Sequence, residues 1–240
     1  EPLPETTTPE PSAPVVDNRP RVALTYDDGP HERYQDTPSR TKLIVDELDK
    51  YGYHATFFVV GNRVDGTEYN GGDAMVYAAN HGNEIGIHGY THNANYADCS
   101  DATFEYEMNE TLRAIQSKLP GYEVRVMRPV GGEISNERVA TTPFAVVNWN
   151  VDTLDWKLNR PTGDVASIEE IVNNALENIK DGDIVLMHDI YNFTADLCEL
   201  IIPELVEKGF KLVTVSEMYE AYGEELDNGT VYYSIKFERI

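Results

Sequence analysis

Two hydrophobic periodicities alternate along this chain of 240 residues. Short apolar runs bounded by turn residues predict buried strands at Arg21–Tyr26, Ala55–Val60, Glu84–His88, Arg125–Arg128, Phe144–Trp149, Ile184–His188 and Lys211–Val215, with a short C-terminal β extension at Val231–Phe237. Apolar residues at helical spacing predict helices at Thr41–Lys50, Asp73–His81, Asp101–Leu119, Ser167–Lys180 and in a segment that ends at Lys208. Strands that alternate with helices form parallel βαβ units, so the fold class is predicted to be α/β.

The first 18 residues differ from the rest of the chain. They are rich in Pro, Glu and Thr and poor in the large apolar residues that a core needs. We therefore expect residues 1–18 to be a disordered linker and residues 19–240 to form one domain. The segment has neither a charged n-region nor an apolar h-region, so we expect no signal peptide within this chain. No apolar run approaches the ~18 residues of a membrane helix, so we expect no membrane insertion.

The composition is strongly acidic, with 42 Asp and Glu against 19 Lys and Arg and a net charge of −23. This charge argues against nucleic-acid binding, which needs Lys and Arg to displace counterions, and against anionic membranes. It fits a neutral or cationic partner, or simply solubility. The two cysteines, Cys99 and Cys198, match no zinc spacing, and their sequence positions leave both a disulfide and two free thiols open.

Polar residues capable of chemistry follow several of the predicted strands directly. They are Asp27 and Asp28 after the first strand, His88 after the third with His92 four residues on, Arg128, Asp152 and Asp155, and His188 with Asp189. The carboxyl ends of parallel strands share one face, where sites are built. We therefore expect these side chains to converge although they are distant in sequence.

Taken singly, these features are ambiguous. Asp-Asp-Gly-Pro is commonly only a turn, and two histidines four residues apart are often structural. Together, two His and one carboxylate leave metal positions open for water and substrate, a second carboxylate can take a proton, and another His can give one. Two alternatives are a metal-free binding relic and a two-His-one-carboxylate iron oxygenase, which metal analysis would separate from a hydrolase.

Five ordered motifs between about Arg21 and Tyr222 resemble the polysaccharide deacetylase family (carbohydrate esterase family 4, the NodB-homology domain). The motifs are Thr25-Tyr26-Asp27-Asp28-Gly29-Pro30, His88-Gly89-Tyr90-Thr91-His92, Arg128-Pro129-Val130-Gly131-Gly132, Asp152-Thr153-Leu154-Asp155-Trp156 and Leu186-Met187-His188. The resemblance implies a distorted (β/α) barrel with fewer than eight strands, and makes 19–240 the catalytic domain.

The resemblance also implies a role for each motif residue. Asp27 would be the general base, and Asp28, His88 and His92 would be the metal ligands. Arg128 would pair with Asp27 and hold it ionised, because a nearby cation favours a charged carboxylate.

The other implied roles concern the acid and the substrate. Asp155 would stabilise the imidazolium of His188, the general acid. The remaining residues implied for substrate and oxyanion binding are Gly131, Trp156, Leu186 and Tyr26.

Two positions depart from the family pattern. Gly89 stands where the family usually has Ser or Thr after the first metal His, so a hydroxyl that normally braces the ligand loop is missing. Val130 stands where a second Pro is usual, which can reshape the substrate wall. Neither departure removes a proposed catalytic group.

The resemblance implies metal-dependent removal of acetyl groups from a polysaccharide. N-deacetylation of N-acetylglucosamine in peptidoglycan is the leading expectation, followed by an O-acetyl esterase on xylan and then a chitin oligosaccharide deacetylase. The expected cofactor is zinc, with cobalt or nickel as alternatives. We also expect an extracellular or cell-wall location and a monomer.

Overall fold

The computed structural model describes residues 17–32, 38–66, 70–158 and 167–235. The strands are β1 (Arg21–Asp27), β2 (Thr56–Val59), β3 (Glu84–Ile87), β4 (Val126–Met127), β5 (Ala145–Val147), β6 (Val151–Asp152), β7 (Asp183–His188), β8 (Lys211–Leu212) and β9 (Val231–Tyr232). The helices are α1 (Arg40–Asp49), α2 (Gly61–Asp65), α3 (Gly72–Asn80), α4 (Asp101–Lys118), α5 (Asn136–Thr141), α6 (Ile168–Asn178), α7 (Thr194–Glu207) and α8 (Val215–Ala221). Among the described residues, no helix combines the length and apolarity that crossing a bilayer requires.

All the named strands pair in parallel, in the order β6-β7-β1-β2-β3-β4-β5-β9, with β8 beside β1. The sheet is therefore a distorted α/β barrel, as predicted. We expected fewer than eight barrel strands, and the described residues form eight besides β9. The additional strand is β6, whose two residues are too few to produce a periodic pattern.

Side chains alternate between the two faces of the sheet, because successive residues of a strand point to opposite sides. On β1, Val22, Leu24 and Tyr26 belong to the core under the helices, whereas Ala23 belongs to a second, inner cluster with Phe58. Thr25 and Asp27 continue the inner face and both bind the Arg128 guanidinium. The inner face of β1 thus changes from apolar at Ala23 to charged at Asp27, its C-terminal residue.

The segment after β8 corrects one prediction. We expected a strand over Lys211–Val215, but β8 ends at Leu212 and Val215 begins α8. The Thr214 side chain accepts a hydrogen bond from Glu217 N–H, and Glu217 accepts one from Thr214 N–H. This capping box starts a helix regardless of the apolar run before it. α8 then packs Met218 with the inner cluster.

The C-terminal extension contains a short strand, β9, and contacts both β5 and β7. Val231 and Tyr232 pair with β5. Ser234 then bridges Asp183, the first residue of β7, and Ile235 N–H donates to the Gly182 carbonyl at 2.8 Å. Residues 236–240, which include the predicted strand end at Phe237, lie outside the described residues.

The linker prediction is largely outside the described residues, which begin at Asp17. The Asp17 carboxylate lies 2.8 Å from the Arg19 guanidinium and 3.2 Å from Lys211 Nζ. The Arg21 guanidinium also donates to the Asp17 carbonyl at 2.8 Å. Asp17 therefore contacts the folded domain, while a linker over residues 1–16 stays a prediction.

Candidate metal centre and active site

Three candidate metal ligands meet at the C-terminal edge of the sheet. Asp28 follows β1, His88 follows β3, and His92 lies four residues further along the same loop. One ligand atom from each residue lies within 4.8 Å of the other two. His92 Nε2 is 2.8 Å and His88 Nε2 is 3.4 Å from Asp28 Oδ1. Two imidazole nitrogens and one carboxylate oxygen are a donor set of catalytic zinc sites, which keep a position open for substrate.

The protonation of these ligands suits metal binding. His88 Nδ1 lies 2.9 Å from the Arg128 carbonyl oxygen. Because a carbonyl can only accept, Nδ1 carries a proton and Nε2 faces Asp28, where a bound metal would take the Nε2 lone pair in place of a proton. Burial raises the pKa of Asp28, but hydrogen bonds from His88 and His92 lower it by more. The pKa of Asp28 therefore lies well below its ordinary value, and the carboxylate is ionised.

The backbone is left-handed at two of the three ligands. Asp28 has φ 73° and His92 has φ 61°, a region that residues with a side chain seldom adopt. Leu154, next to Asp155, has φ 61° as well. Such conformations cost free energy and persist where surrounding contacts fix them, as at binding sites.

Asp27 and Arg128 form a buried ion pair beside the ligands. Arg128 Nη1 donates to Asp27 Oδ1 at 2.8 Å and to Thr25 Oγ1 at 2.7 Å. Its Nε and Nη2 donate to the carbonyls of Val147 and Asn148, both at 3.0 Å. Arg128 is fully buried and Asp27 is 3% exposed. The guanidinium therefore has a fixed position, and Asp27 keeps Oδ2 on the side of His88 Nε2, 3.7 Å away.

Asp155 and His188 form a second pair across the site. His188 Nδ1 donates to Asp155 Oδ1 at 2.8 Å, and the His188 backbone N–H donates to Oδ2 at 2.8 Å. Burial alone would lower the pKa of His188. The hydrogen bond and charge of Asp155, with the charges of Asp27 and Asp28, raise the pKa to about 9. The imidazole is therefore protonated near neutral pH, with Nε2 available to donate.

A depression of about 390 Å³ opens over these groups. Besides Asp27, Asp28, His88, His92 and His188, its lining consists of Val130, Gly131, Trp149, Asp152, Trp156, Leu186 and Tyr191. Trp156 Nε1 donates to Asp152 Oδ2 at 3.3 Å, which orients the indole. A bound group would thus meet two indoles and the apolar side chains of Val130 and Leu186 next to the charged pairs.

The family model for polysaccharide deacetylases matches residues 15–143 of this chain. The chain belongs to the polysaccharide deacetylase family. Its distorted barrel and its five motifs follow the expectation from sequence.

Several members of the polysaccharide deacetylase family are similar over most of this chain. Peptidoglycan-N-acetylmuramic acid deacetylase PdaC of Bacillus subtilis is 36% identical over 86% of the chain, and its solved structure superposes with TM-score 0.75. A peptidoglycan-N-acetylglucosamine deacetylase of Bacillus cereus is 32% identical over 86% of the chain. The match spans 40% of PdaC and 71% of the B. cereus protein.

Another solved family member is a family 4 acetyl xylan esterase from Clostridium thermocellum in complex with a cobalt ion. It is 28% identical to this chain and superposes with TM-score 0.77. The match covers 90% of this chain and 99% of the esterase chain. The polysaccharide deacetylase fold of this chain is thus shared by relatives named for amide and for ester substrates.

The structure brings together ten of the eleven site residues predicted from sequence. They are Asp27, Asp28, His88, His92, Arg128, Gly131, Asp155, Trp156, Leu186 and His188. Their catalytic roles stay predictions. Trp149 and Tyr191 also line the depression and were not among the predicted site residues, although Trp149 lies in the segment that leads to the fourth motif.

Tyr26 is the predicted site residue that lies elsewhere. Its side chain is fully buried, stacks on Phe57 with ring centroids 5.0 Å apart, and has its hydroxyl 3.1 Å from Cys198 Sγ. Strand alternation explains this position, because Asp27 takes the inner face and its neighbour must point outward under the helices. Cys198 thus lies against the Tyr26 hydroxyl. Both Cys198 and Cys99 are free thiols in this structure.

Proposed function

We propose that this protein is a metal-dependent hydrolase that removes acetyl groups from a polysaccharide. One observation carries the proposal: the ligand set of Asp28, His88 and His92 lies beside two ion pairs, Asp27 with Arg128 and His188 with Asp155. Arg128 orients the Asp27 carboxylate, and Asp155 favours the protonated form of His188. A base and an acid on either side of a Lewis-acid position are what hydrolysis of an acetyl group requires.

Asp28, His88 and His92 would hold a divalent cation, for which zinc is the first choice and cobalt or nickel the alternatives. When bound, such a cation polarises a carbonyl oxygen and lowers the pKa of water toward ~7. The fit rests on the ionised Asp28 and on the Nε2 of His88 that faces it, both described above.

The chain's own residues would move the protons. Asp27 takes a proton from the water that attacks the carbonyl carbon of the acetyl group, and Arg128 keeps the Asp27 carboxylate in place. His188 then gives its Nε2 proton to the departing amine nitrogen or alcohol oxygen as the carbon–nitrogen or carbon–oxygen bond breaks. The products are acetate and the free amine or hydroxyl.

Three further residues would bind the acetyl group. Gly131 lines the depression, and its backbone N–H would be the oxyanion donor. Trp156 and Leu186, which also line it, would enclose the methyl group.

The proposed substrate is N-acetylglucosamine in peptidoglycan, which implies an extracellular or cell-wall location. Support for peptidoglycan comes from both relatives described above, and support for N-acetylglucosamine comes from the name of the B. cereus relative, since PdaC is named for N-acetylmuramic acid. Acetylated xylan is the second candidate, since a net charge of −23 disfavours approach to an anionic wall. Chitin oligosaccharides come third.

Acetate release tests both the reaction and the substrate. Purified protein is incubated with peptidoglycan, acetylated xylan and chitin oligomers, before and after chelation and after zinc or cobalt is returned. We expect acetate from peptidoglycan, its loss on chelation and its recovery with metal. Full activity in a verified metal-free sample would refute the metal-dependent mechanism, and acetate from xylan alone would reassign the substrate.

A further inference from the structure

The loop from His88 to His92 supplies two of the three candidate ligands, so its backbone sets their separation. His88 is 2% exposed and anchored by its backbone N–H, which donates to the Val59 carbonyl at 2.9 Å. The His92 side chain is 42% exposed and its backbone is left-handed. Packing around the His92 ring is therefore sparse, and apart from its contacts with Asp28 and the His88 ring this ligand depends on the rest of the loop for its position.

Glu107 of α4 makes those contacts. The Glu107 carboxylate is buried, and its Oε2 accepts hydrogen bonds from the backbone N–H groups of Tyr90 at 2.6 Å and Thr91 at 2.8 Å. Its Oε1 accepts a hydrogen bond from Thr91 Oγ1 at 2.5 Å. All three donors lie between the two histidines. These three donors stabilise the buried Glu107 carboxylate.

Tyr96 occupies the space beside the remaining loop residue, Gly89. Gly89 has φ 89°, and a Cβ built there would lie 2.1 Å from Tyr96 Oη and 3.1 Å from Glu107 Oε2. The Tyr96 hydroxyl is buried and has no hydrogen-bond partner among the described residues. The Tyr96 carbonyl accepts hydrogen bonds from Arg138 Nη1 at 2.6 Å and Ser135 N–H at 3.1 Å. The ring is thus held from outside the loop and fills the space that a side chain at position 89 would need.

We infer that Glu107 is the positioning residue of the His88–His92 ligand loop, and that Tyr96 and Gly89 are a matched pair that closes the loop against it. Glu107 acts through the loop backbone and does not touch the ligand nitrogens. The inference rests on the proposed metal centre but not on the substrate. The His88–His92 loop has no hydroxyl at position 89 to brace it. In its place, Glu107 on α4 and Tyr96, which precedes α4 in the chain, hold the loop.

Metal affinity of the metal-free protein tests the role of Glu107. Co²⁺ is titrated into metal-free protein while its visible d–d absorption and the heat of binding are followed. We expect Glu107→Gln to weaken Co²⁺ binding by about 10–100-fold, the range for groups that orient metal ligands. The amide keeps the shape but removes the charge, so its oxygen makes weaker, neutral hydrogen bonds with the backbone N–H groups of Tyr90 and Thr91. Circular dichroism of the metal-free variant should match the wild type.

Glu84→Gln is the matched control for a merely structural role. Glu84 is also a buried carboxylate with several hydrogen bonds, from Thr56 Oγ1 at 2.9 Å and from Ser216. It lies at the first residue of β3, the opposite end of the strand from the ligands. We expect this control to lower the melting temperature and leave Co²⁺ affinity unchanged. Equal Co²⁺ affinity in Glu107→Gln and wild type would overturn the inference.

A double-mutant cycle tests the matched pair. Gly89→Ala should weaken Co²⁺ binding, because its Cβ overlaps Tyr96 Oη. Tyr96→Phe removes that oxygen and leaves the nearest ring carbon 3.4 Å away, an ordinary contact. The cost of a left-handed Ala is common to both backgrounds and cancels in the cycle. We therefore expect Gly89→Ala to be less harmful in Tyr96→Phe, and equal harm in both backgrounds would contradict the pairing.

Failure of the proposed function is distinguishable from failure of this inference. Tight Co²⁺ binding by the wild type without acetate release from any glycan would refute the deacetylase proposal and leave the inference about Glu107 and Tyr96 intact. Absence of Co²⁺ binding by the wild type would refute the proposed function and the inference together. Acetate release by the wild type, with unchanged Co²⁺ affinity in Glu107→Gln and Gly89→Ala, would refute the inference alone.

Discussion

Asp155 binds His188 at two points, with Oδ1 on the ring Nδ1 and Oδ2 on the backbone N–H, both at 2.8 Å. The ring orientation and the ring charge are therefore set by the same carboxylate. Asp155 is fully buried, so water does not compete for either contact.

The first prediction concerns the titration of His188. In metal-free protein, the NMR signal of the His188 ring should titrate near pH 9, and Asp155→Asn should lower this pKa toward the ordinary value of 6.5. The folded pKa lies above the unfolded one, so the stability that this group contributes is complete below pH 6.5. It is lost as pH rises through about 9. An unchanged pKa in Asp155→Asn would show that Asp155 is not the cause.

The second prediction separates the proposed acid from the proposed base. His188→Ala should slow amide or sugar-ester hydrolysis by ~10²–10⁴-fold but largely spare an activated aryl acetate, whose phenolate leaves unprotonated. Asp27→Asn should slow both substrates by a similar factor. Asp155→Asn should resemble a milder His188 variant. Initial rates on the paired substrates measure these effects.

Metal content controls for this comparison. None of the three substituted residues is a proposed ligand, so each variant should bind as much metal as the wild type. Metal loss in His188→Ala, or near-normal rates in Asp27→Asn, would contradict the assigned roles.

The third prediction concerns the stability contributed by the Arg128–Asp27 pair. Arg128→Met leaves Asp27 buried without its partner and should cost ~3–5 kcal/mol of unfolding free energy in urea titrations. Arg113→Met is the matched control: this arginine pairs with Asp65 at 2.7 Å but is 51% exposed. The control should cost at most ~1 kcal/mol. Adding Asp27→Asn to Arg128→Met should restore part of the loss, and similar costs for the two arginines would argue against a buried pair.

The fourth prediction concerns the thiols. Denatured, unreduced protein should react with two equivalents of thiol reagent, because Cys99 and Cys198 are both free. In the native state Cys99 should react first. Cys198 is fully buried, and burial raises the pKa of its thiol to about 12. A count of zero in the denatured, unreduced state would instead establish a disulfide.

Hydrophobic patterning predicted the strand ends well, and most of the candidate site with them. His88, Arg128 and His188 each end or follow an apolar run, and parallel strands place such residues at one edge. Tyr26 is the exception, because its side chain points outward while both of its neighbours on β1 point inward. Membership in a motif does not by itself indicate which face a side chain takes.

Glu107 and Tyr96 were not predicted, since neither lies at a strand end. A signal for Glu107 was nonetheless available. It falls on the buried stripe of α4 with Phe104, Met108 and Thr111, where a carboxylate needs dedicated hydrogen-bond donors. The sequence could not identify those donors, because they are backbone N–H groups of a loop whose path depends on the tertiary structure.

The central position of β1 has a consequence for how the protein is made. β1 pairs with β2, about 30 residues later, and with β7, where the Thr25 hydroxyl donates to the Val185 carbonyl across 160 residues. At ~5–20 residues per second, translation leaves roughly 8–30 s between the synthesis of β1 and that of β7. All three candidate ligands are synthesised by residue 92, long before His188. The nascent chain can thus assemble its metal-binding part while one edge of β1 still waits for a partner, an interval in which that edge is open to chaperones or to aggregation.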